Sequence, residues 1–205
     1  PYAHSLVNNR RWEMKAVVPI NRLKGRILGL VGFGNIAQGI VSKARAFGIK
    51  TIAADPYVSD EEFTKLDVER VDFDQLLERA DFISIHTPLT EETKNLFGQS
   101  AFKKMKPEAL LINTARGPLV DIDALAEALE SNEIAGAALD VLPQEPPPDD
   151  CPLFGRKDVI LTPHTGFYSA DALLDLQTTV ATDVASVLNG KFPRFPVNPE
   201  VRHPK

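Results

Sequence analysis

Arg26-Ile27-Leu28-Gly29-Leu30-Val31 is an almost wholly apolar run, and Gly32-Phe33-Gly34-Asn35-Ile36-Ala37 follows it without a break. The first run reads as a strand buried on both faces. Apolar residues then recur at Ile36, Ala37, Ile40, Val41, Ala44 and Phe47, a helical stripe that Gly48 ends. Ile49 to Ala54 reads as a second strand, closing on the acidic Asp55. Strand, glycine turn, helix and strand form one unit, and that unit decides the fold.

The chemistry of the turn follows from its residues. Gly32 permits a tight turn, and Gly34 lets the backbone approach a ligand. Ala37 stands where a small residue allows close helix–strand packing. With an acidic residue about 20 positions past the glycines, this is the Rossmann dinucleotide fingerprint. N–H groups at the helix start suit a pyrophosphate. Asp55 is expected to accept from the adenosine ribose and to repel a 2′-phosphate, which predicts NAD rather than NADP.

Working outward, strands and helices alternate. Val68 to Val71 reads as a short strand, Phe73 to Arg79 as a helix, and Asp81 to His86 as a strand that Pro88 breaks. Ser100 to Met105 and Asp121 to Ser131 read as helices. Ala109 to Ile112, Ala137 to Leu139 and Val159 to Leu161 read as buried strands. A long helix is expected from Ser169 to Leu188, with Ser169 as its cap and Asn189-Gly190 as its stop. The expected fold class is therefore α/β, a doubly wound parallel sheet. Asn113-Thr114-Ala115-Arg116-Gly117, Asp140 through Glu145-Pro146, and Thr162-Pro163-His164-Thr165-Gly166 each follow one strand. Ligands bind beyond the carboxyl ends of such strands. Arg116, Glu145 and His164 are thus directed to one crevice, a set suited to a small anionic substrate.

Composition removes several function classes. At 205 residues with 43% hydrophobic content, the chain can build a core. A net charge of -5 without a basic stripe gives no basis for nucleic-acid binding. The single cysteine, Cys151, excludes an internal disulfide and a Cys-rich zinc site, and no metal is expected. No apolar run reaches the ~18 residues of a membrane span, so the default reading is a soluble, cytoplasmic protein. Pro143 to Pro152 contains five prolines, a loop of restricted shape. Residues 1–22 are polar and without a period, with Trp12 expected as a packing anchor. Residues 23–190 are expected to form the dinucleotide domain, and 191–205 an extended tail.

At these motifs the sequence resembles the D-isomer-specific 2-hydroxyacid dehydrogenases. The match includes Leu30 to Ala37, His86-Thr87-Pro88-Leu89-Thr90 with Thr93, Gly136 to Val141, and the three stretches after the strands. Asp55-Pro56-Tyr57 and Tyr168-Ser169 are similar to the branch that includes the C-terminal-binding-protein corepressors. The resemblance implies a two-domain enzyme of which this chain is the NAD-binding part, with the substrate domain largely absent and residues 1–22 a remnant of the segment between domains. It implies Arg116, Glu145 and His164 as catalytic residues of hydride transfer between 2-oxo and D-2-hydroxy acids, with His164 the expected acid/base, Glu145 beside it orienting the ring and Arg116 binding the substrate. It places Phe33, Asn35 and Ile36 at the pyrophosphate, and His86, Pro88 and Thr93 along the adenosine and phosphates. Thr114, Ala115 and Asp140 fall near the nicotinamide, with His164 and Gly166 completing the wall. A small 2-oxo or 2-hydroxy acid substrate and a homodimer are further implications. An NAD(H)-sensing interaction module of the corepressor type is the alternative function.

Overall fold

The computed structural model describes residues 2–17 and 20–198. The chain divides into two compact units, Pro1–His164 and Thr165–Lys205. In the first, helix α1 (Tyr2–Asn8) and a 3-10 turn (Met14–Val17) precede strand β1 (Ile27–Val31). Then come α2 (Asn35–Ala46), β2 (Lys50–Ala54), α3 (Asp60–Lys65), β3 (Glu69–Arg70), α4 (Phe73–Arg79) and β4 (Phe82–Ile85). The second half continues with α5 (Gln99–Phe102), β5 (Leu110–Asn113), a 3-10 turn (Gly117–Leu119), α6 (Ile122–Glu130), β6 (Gly136–Leu139) and β7 (Val159–Leu161).

Among the described residues, seven strands form one sheet in the order β3-β2-β1-β4-β5-β6-β7, and every pairing is parallel. The order reverses between β1 and β4, where a doubly wound sheet opens its crevice. The register is level across six strands. Val31 pairs with Ala54 and Ile85, Ile85 with Asn113, Asn113 with Leu139, and Leu139 with Leu161. One residue beyond that row stand Gly32, Asp55, His86, Thr114, Asp140 and Thr162.

Alternation along the strands divides the core into two layers. Leu28, Leu30 and Ala53 pack with Ala37, Val41 and Phe63, on the face covered by α2 and α3. Val31, Ile52, Ile83 and Ile85 pack with Leu76, Phe97, Phe102 and Leu125, on the face covered by α4, α5 and α6. Each fully buried side chain of this size stabilises the fold by about 1.5–3 kcal/mol before entropic losses.

Helix ends follow their local chemistry. Asp72 and Gln75 form a reciprocal capping box on α4, and Asp121 accepts from Asp123 and Ala124 N–H at the start of α6. Gly48 takes a left-handed φ of 71° just past Phe47, the cap residue of α2. Two short helices, α1 and α3, form where no periodicity announced them, each burying a single side chain, Leu6 and Phe63. Trp12 corrects an expectation. Its side chain is 87% exposed, so it anchors no packing within this chain.

The second unit holds α7 (Ala170–Leu188), whose cap Ser169 accepts from Ala172 N–H at 2.9 Å. No residue of α7 is buried, and Leu174, Leu176, Val180 and Val184 are all exposed. No described helix is long and apolar enough to cross a membrane.

Asp81 ties the amino ends of β1 and β4 together. Its carboxylate accepts from Ile27 N–H at 2.8 Å, from Arg26 at 3.2 Å and from Lys106 at 3.1 Å. Burial pushes the Asp81 carboxyl up, but Ile27 N–H, Lys106 and Arg26 together hold it below its ordinary value. A depressed folded-state value stabilises the fold above the unfolded pKa, and that contribution is lost as pH falls through the folded one. Asp81→Asn should therefore cost about 1–3 kcal/mol in urea unfolding at neutral pH. Its deficit relative to wild type should shrink as the pH falls through the carboxylate range.

Candidate functional site

The level row of strand ends continues as hydrogen bonds into the residues beyond it. Gly32 N–H donates to Ala54 carbonyl at 2.9 Å, and His86 N–H to Val31 carbonyl at 2.7 Å. Asp140 N–H donates to Asn113 carbonyl at 2.9 Å, Thr162 N–H to Leu139 carbonyl at 3.0 Å, and His164 N–H to Asp140 carbonyl at 2.8 Å. The sheet ladder itself therefore holds the backbone of these positions.

At the β1 end, Gly32 has a φ of 87°, and a Cβ there would lie 2.7 Å from Thr87 N and 2.8 Å from the His86 carbonyl carbon. Only glycine meets both demands. Gly34, the N-cap of the twelve-residue α2, is different: a Cβ on it would meet nothing within 4 Å. No side chain caps this helix, so its first N–H groups have no side-chain acceptor, a donor set that fits a phosphate. Asn35 and Ile36 are exposed at that helix start, whereas Phe33 is fully buried and stacked on Phe63 at 4.5 Å. Phe33 thus offers the turn its backbone. Asp55 accepts from Phe33 N–H through Oδ2 and from Tyr57 N–H through Oδ1, both at 2.8 Å. Each oxygen retains a lone pair for a further donor.

Beyond β4, His86 Nε2 lies 2.9 Å from Ser84 Oγ. Burial holds the His86 pKa below its ordinary value, so the ring is neutral near pH 7. Thr93 Oγ1 donates to Pro88 carbonyl at 2.7 Å and accepts from Thr90 N–H at 2.8 Å, which shapes the loop. Ile36, His86, Thr87, Pro88, Leu89, Thr114, Ala115 and Arg116 line one cleft of about 490 Å³.

The β5 turn is built by Asn113, which is fully buried. Its amide donates to Arg116 carbonyl and accepts from Ala115 N–H, both at 2.9 Å. The exposed Arg116 guanidinium bonds to Ala115 carbonyl at 2.6 Å. Asp140 is buried and accepts from the Thr162 hydroxyl. Glu145 Oε2 faces His164 Nδ1 at 2.7 Å, and Oε1 accepts from Leu142 N–H at 3.0 Å. His164 adopts a left-handed φ of 53°, unusual for a residue with a side chain. Asp140, Glu145, Thr162 and His164 line a second cavity of about 500 Å³, walled by Leu142, Pro146, Pro147, Phe154 and Leu161.

Glu145 and His164 are thus in contact, and Asp140 and Thr162 stand beside them. Arg116 lines the other cleft. Gly166 belongs to the second unit. Sequence reasoning did not single out Ser84, Thr162 or the Leu142 N–H. Ser84 and Thr162 each stand two residues before a histidine already under suspicion, the one signal that could have found them.

Residues 1–166 match the family model described as D-isomer specific 2-hydroxyacid dehydrogenase, NAD binding domain. The chain belongs to this family. It is 40% identical over 199 residues to a D-3-phosphoglycerate dehydrogenase of Methanocaldococcus jannaschii, covering 97% of this chain and 38% of that protein. It is 42% identical over 179 residues to a glyoxylate reductase of Thermococcus litoralis, covering 87% and 54% respectively. The structure resembles D-lactate dehydrogenase with NAD+ from Lactobacillus jensenii with a TM-score of 0.85 and 32% identity, over 95% of this chain and 62% of that one. The chain therefore spans less than two thirds of these dehydrogenases.

Within this family domain, the Glu145 carboxyl is held below its ordinary value, first by His164 and then by Leu142 N–H. Both partners favour the carboxylate, so the contact persists above the usual carboxylate range and weakens as pH falls through the depressed value. His164→Ala should move the Glu145 titration upward, as read by the ¹³C shift of its carboxyl carbon.

Proposed function

We propose that this chain is the cofactor half of an oxidoreductase that interconverts 2-oxo acids and D-2-hydroxy acids. The observation that carries the reading is the 2.7 Å contact between Glu145 and His164, on the same sheet edge as the glycine turn. NAD supplies or accepts the hydride at its nicotinamide C4 when bound. The family model is that of an NAD-binding domain, and the donor set at Gly34, Asn35 and Ile36 suits its pyrophosphate. Asp55, with its spare lone pairs, takes the ribose hydroxyls and disfavours a 2′-phosphate.

His164 moves the proton at the substrate oxygen. In the reducing direction it donates while hydride arrives at the adjoining carbon, and in the oxidising direction it accepts. An imidazole is the side chain whose ordinary pKa lies nearest neutrality, which suits it to both directions. Glu145 bonds Nδ1, and Nε2 is the ring nitrogen that exchanges the proton with the substrate. Arg116 has the planar fork that holds a 2-oxo acid by carboxylate and carbonyl together. Its present bond to Ala115 carbonyl is one that a stronger, anionic acceptor can replace. Asp140, steadied by Thr162, accepts from the nicotinamide carboxamide, and His86 and Thr93 line the path of the adenosine and linking phosphates.

Two measurements test this. NADH titrated into the chain by fluorescence should bind saturably and more tightly than NADPH, and Asp55→Ala should shrink that preference. Equal affinity in wild type would refute the role of Asp55. In the whole dehydrogenase, His164→Ala should lower kcat about 10²–10⁴-fold. NADH binding without turnover of any 2-oxo acid would favour the sensing alternative.

A further inference from the structure

Gly117 directly follows Arg116 and opens the 3-10 turn Gly117–Leu119. It is buried, and its φ lies outside the left-handed region, so backbone freedom does not explain a glycine there. Space does. A Cβ on Gly117 would lie 2.0 Å from the carbonyl carbon of Leu142, 2.1 Å from its oxygen and 2.4 Å from Pro143 N. All three are backbone atoms of one peptide group, so no change of rotamer could relieve the overlap. Pro143 further restricts that peptide, because its ring limits the conformation of the residue before it.

The peptide in question lies at the root of the loop that carries Glu145. Leu142 contributes its carbonyl to the Gly117 contact and its N–H to Glu145 Oε1 at 3.0 Å. Glu145 then reaches His164 Nδ1 at 2.7 Å through its other oxygen. On the opposite side, the Arg116 carbonyl is pinned by the buried Asn113 amide at 2.9 Å. A continuous path of short contacts thus runs from the arginine turn after β5 to the loop after β6 and the histidine after β7.

We propose that Gly117 is a positioning residue: its missing side chain seats the Leu142–Pro143 peptide against the Arg116 turn, and so sets where Glu145 and His164 stand relative to Arg116. A side chain there displaces the loop root and draws the Leu142 N–H away from Glu145. Since a misplacement of about 1 Å can cost 10²-fold in rate, this contact governs the site without touching a substrate. The functional importance rests on the acid–base reading above, but the contact itself is testable without turnover.

The experiment compares wild type, Gly117→Ala and Glu145→Gln as the full chain by NMR, with the Phe33 amide, which donates to Asp55, as a check on the glycine-turn end of the sheet. In Gly117→Ala the Glu145 carboxyl titration should move upward. The His164 ring ¹⁵N shifts should move toward those of Glu145→Gln, while the Phe33 amide shift at the glycine turn stays at its wild-type value. A residue with only a packing role would lower the unfolding temperature and leave both signals in place. A folded Gly117→Ala with wild-type Glu145 and His164 signals overturns the proposal. Should Gly117→Ala fail to fold, Pro143→Gly decides the matter. It keeps Gly117 but frees the Leu142 peptide, and unchanged Glu145 and His164 signals there overturn the proposal equally. If the signals move as expected yet His164→Ala leaves turnover intact in the whole dehydrogenase, the acid–base reading fails while the positioning contact stands.

Discussion

Two neighbouring strands can run parallel only if the chain crosses back over the sheet between them, and here every neighbouring pair is parallel. All carboxyl ends therefore reach one edge of the sheet. The level register sharpens this consequence, because Val31, Ala54, Ile85, Asn113, Leu139 and Leu161 share a single row. The residues just past that row are a glycine, two aspartates, a histidine and two threonines, and the continuing ladder holds Gly32, His86, Asp140 and Thr162 before any side chain contributes. The site is a boundary property of the sheet.

Polar groups at that boundary are buried without being stranded. Among the described residues, Ser84, Asn113 and Asp140 are the buried polar side chains, and each has a partner. Among the described residues, no buried side-chain nitrogen or oxygen lacks a hydrogen bond. A buried polar group without a partner would cost about 1–3 kcal/mol, so these bonds both preserve stability and fix geometry. Asn113 illustrates the economy of the arrangement, since one amide group satisfies two backbone groups and shapes the turn that presents Arg116. The left-handed backbone of His164 is tolerated in the same setting, with its N–H bonded to both Asp140 and Thr162 carbonyls.

Legibility in the sequence tracked how strongly each element was written. Helix α4 is legible residue for residue, from Phe73 to Arg79. Strand β7 was read to its ends, and the remaining strands to within a residue or two, since buried parallel strands are short apolar runs with polar stops. Helices α1 and α3 escaped notice because each has one buried side chain and hence no period to detect. Trp12 was misjudged for a related reason. A large aromatic residue suggests burial, but Trp12 is 87% exposed.

By itself the sequence determined the α/β class, the parallel order implied by alternating elements, the glycine turn with Asp55, and Arg116, Glu145 and His164 as candidates. Those features rest on local chemistry: periodicity, backbone freedom and the residue type at each strand end. The tertiary structure decided the distances and the clefts. It joined Glu145 to His164, directed Arg116 into a neighbouring cleft, buried Phe33 away from the crevice, and pressed Gly117 against the Leu142 peptide. These contacts form between loops far apart in sequence, and their distances depend on strand register and packing, which no local pattern encodes.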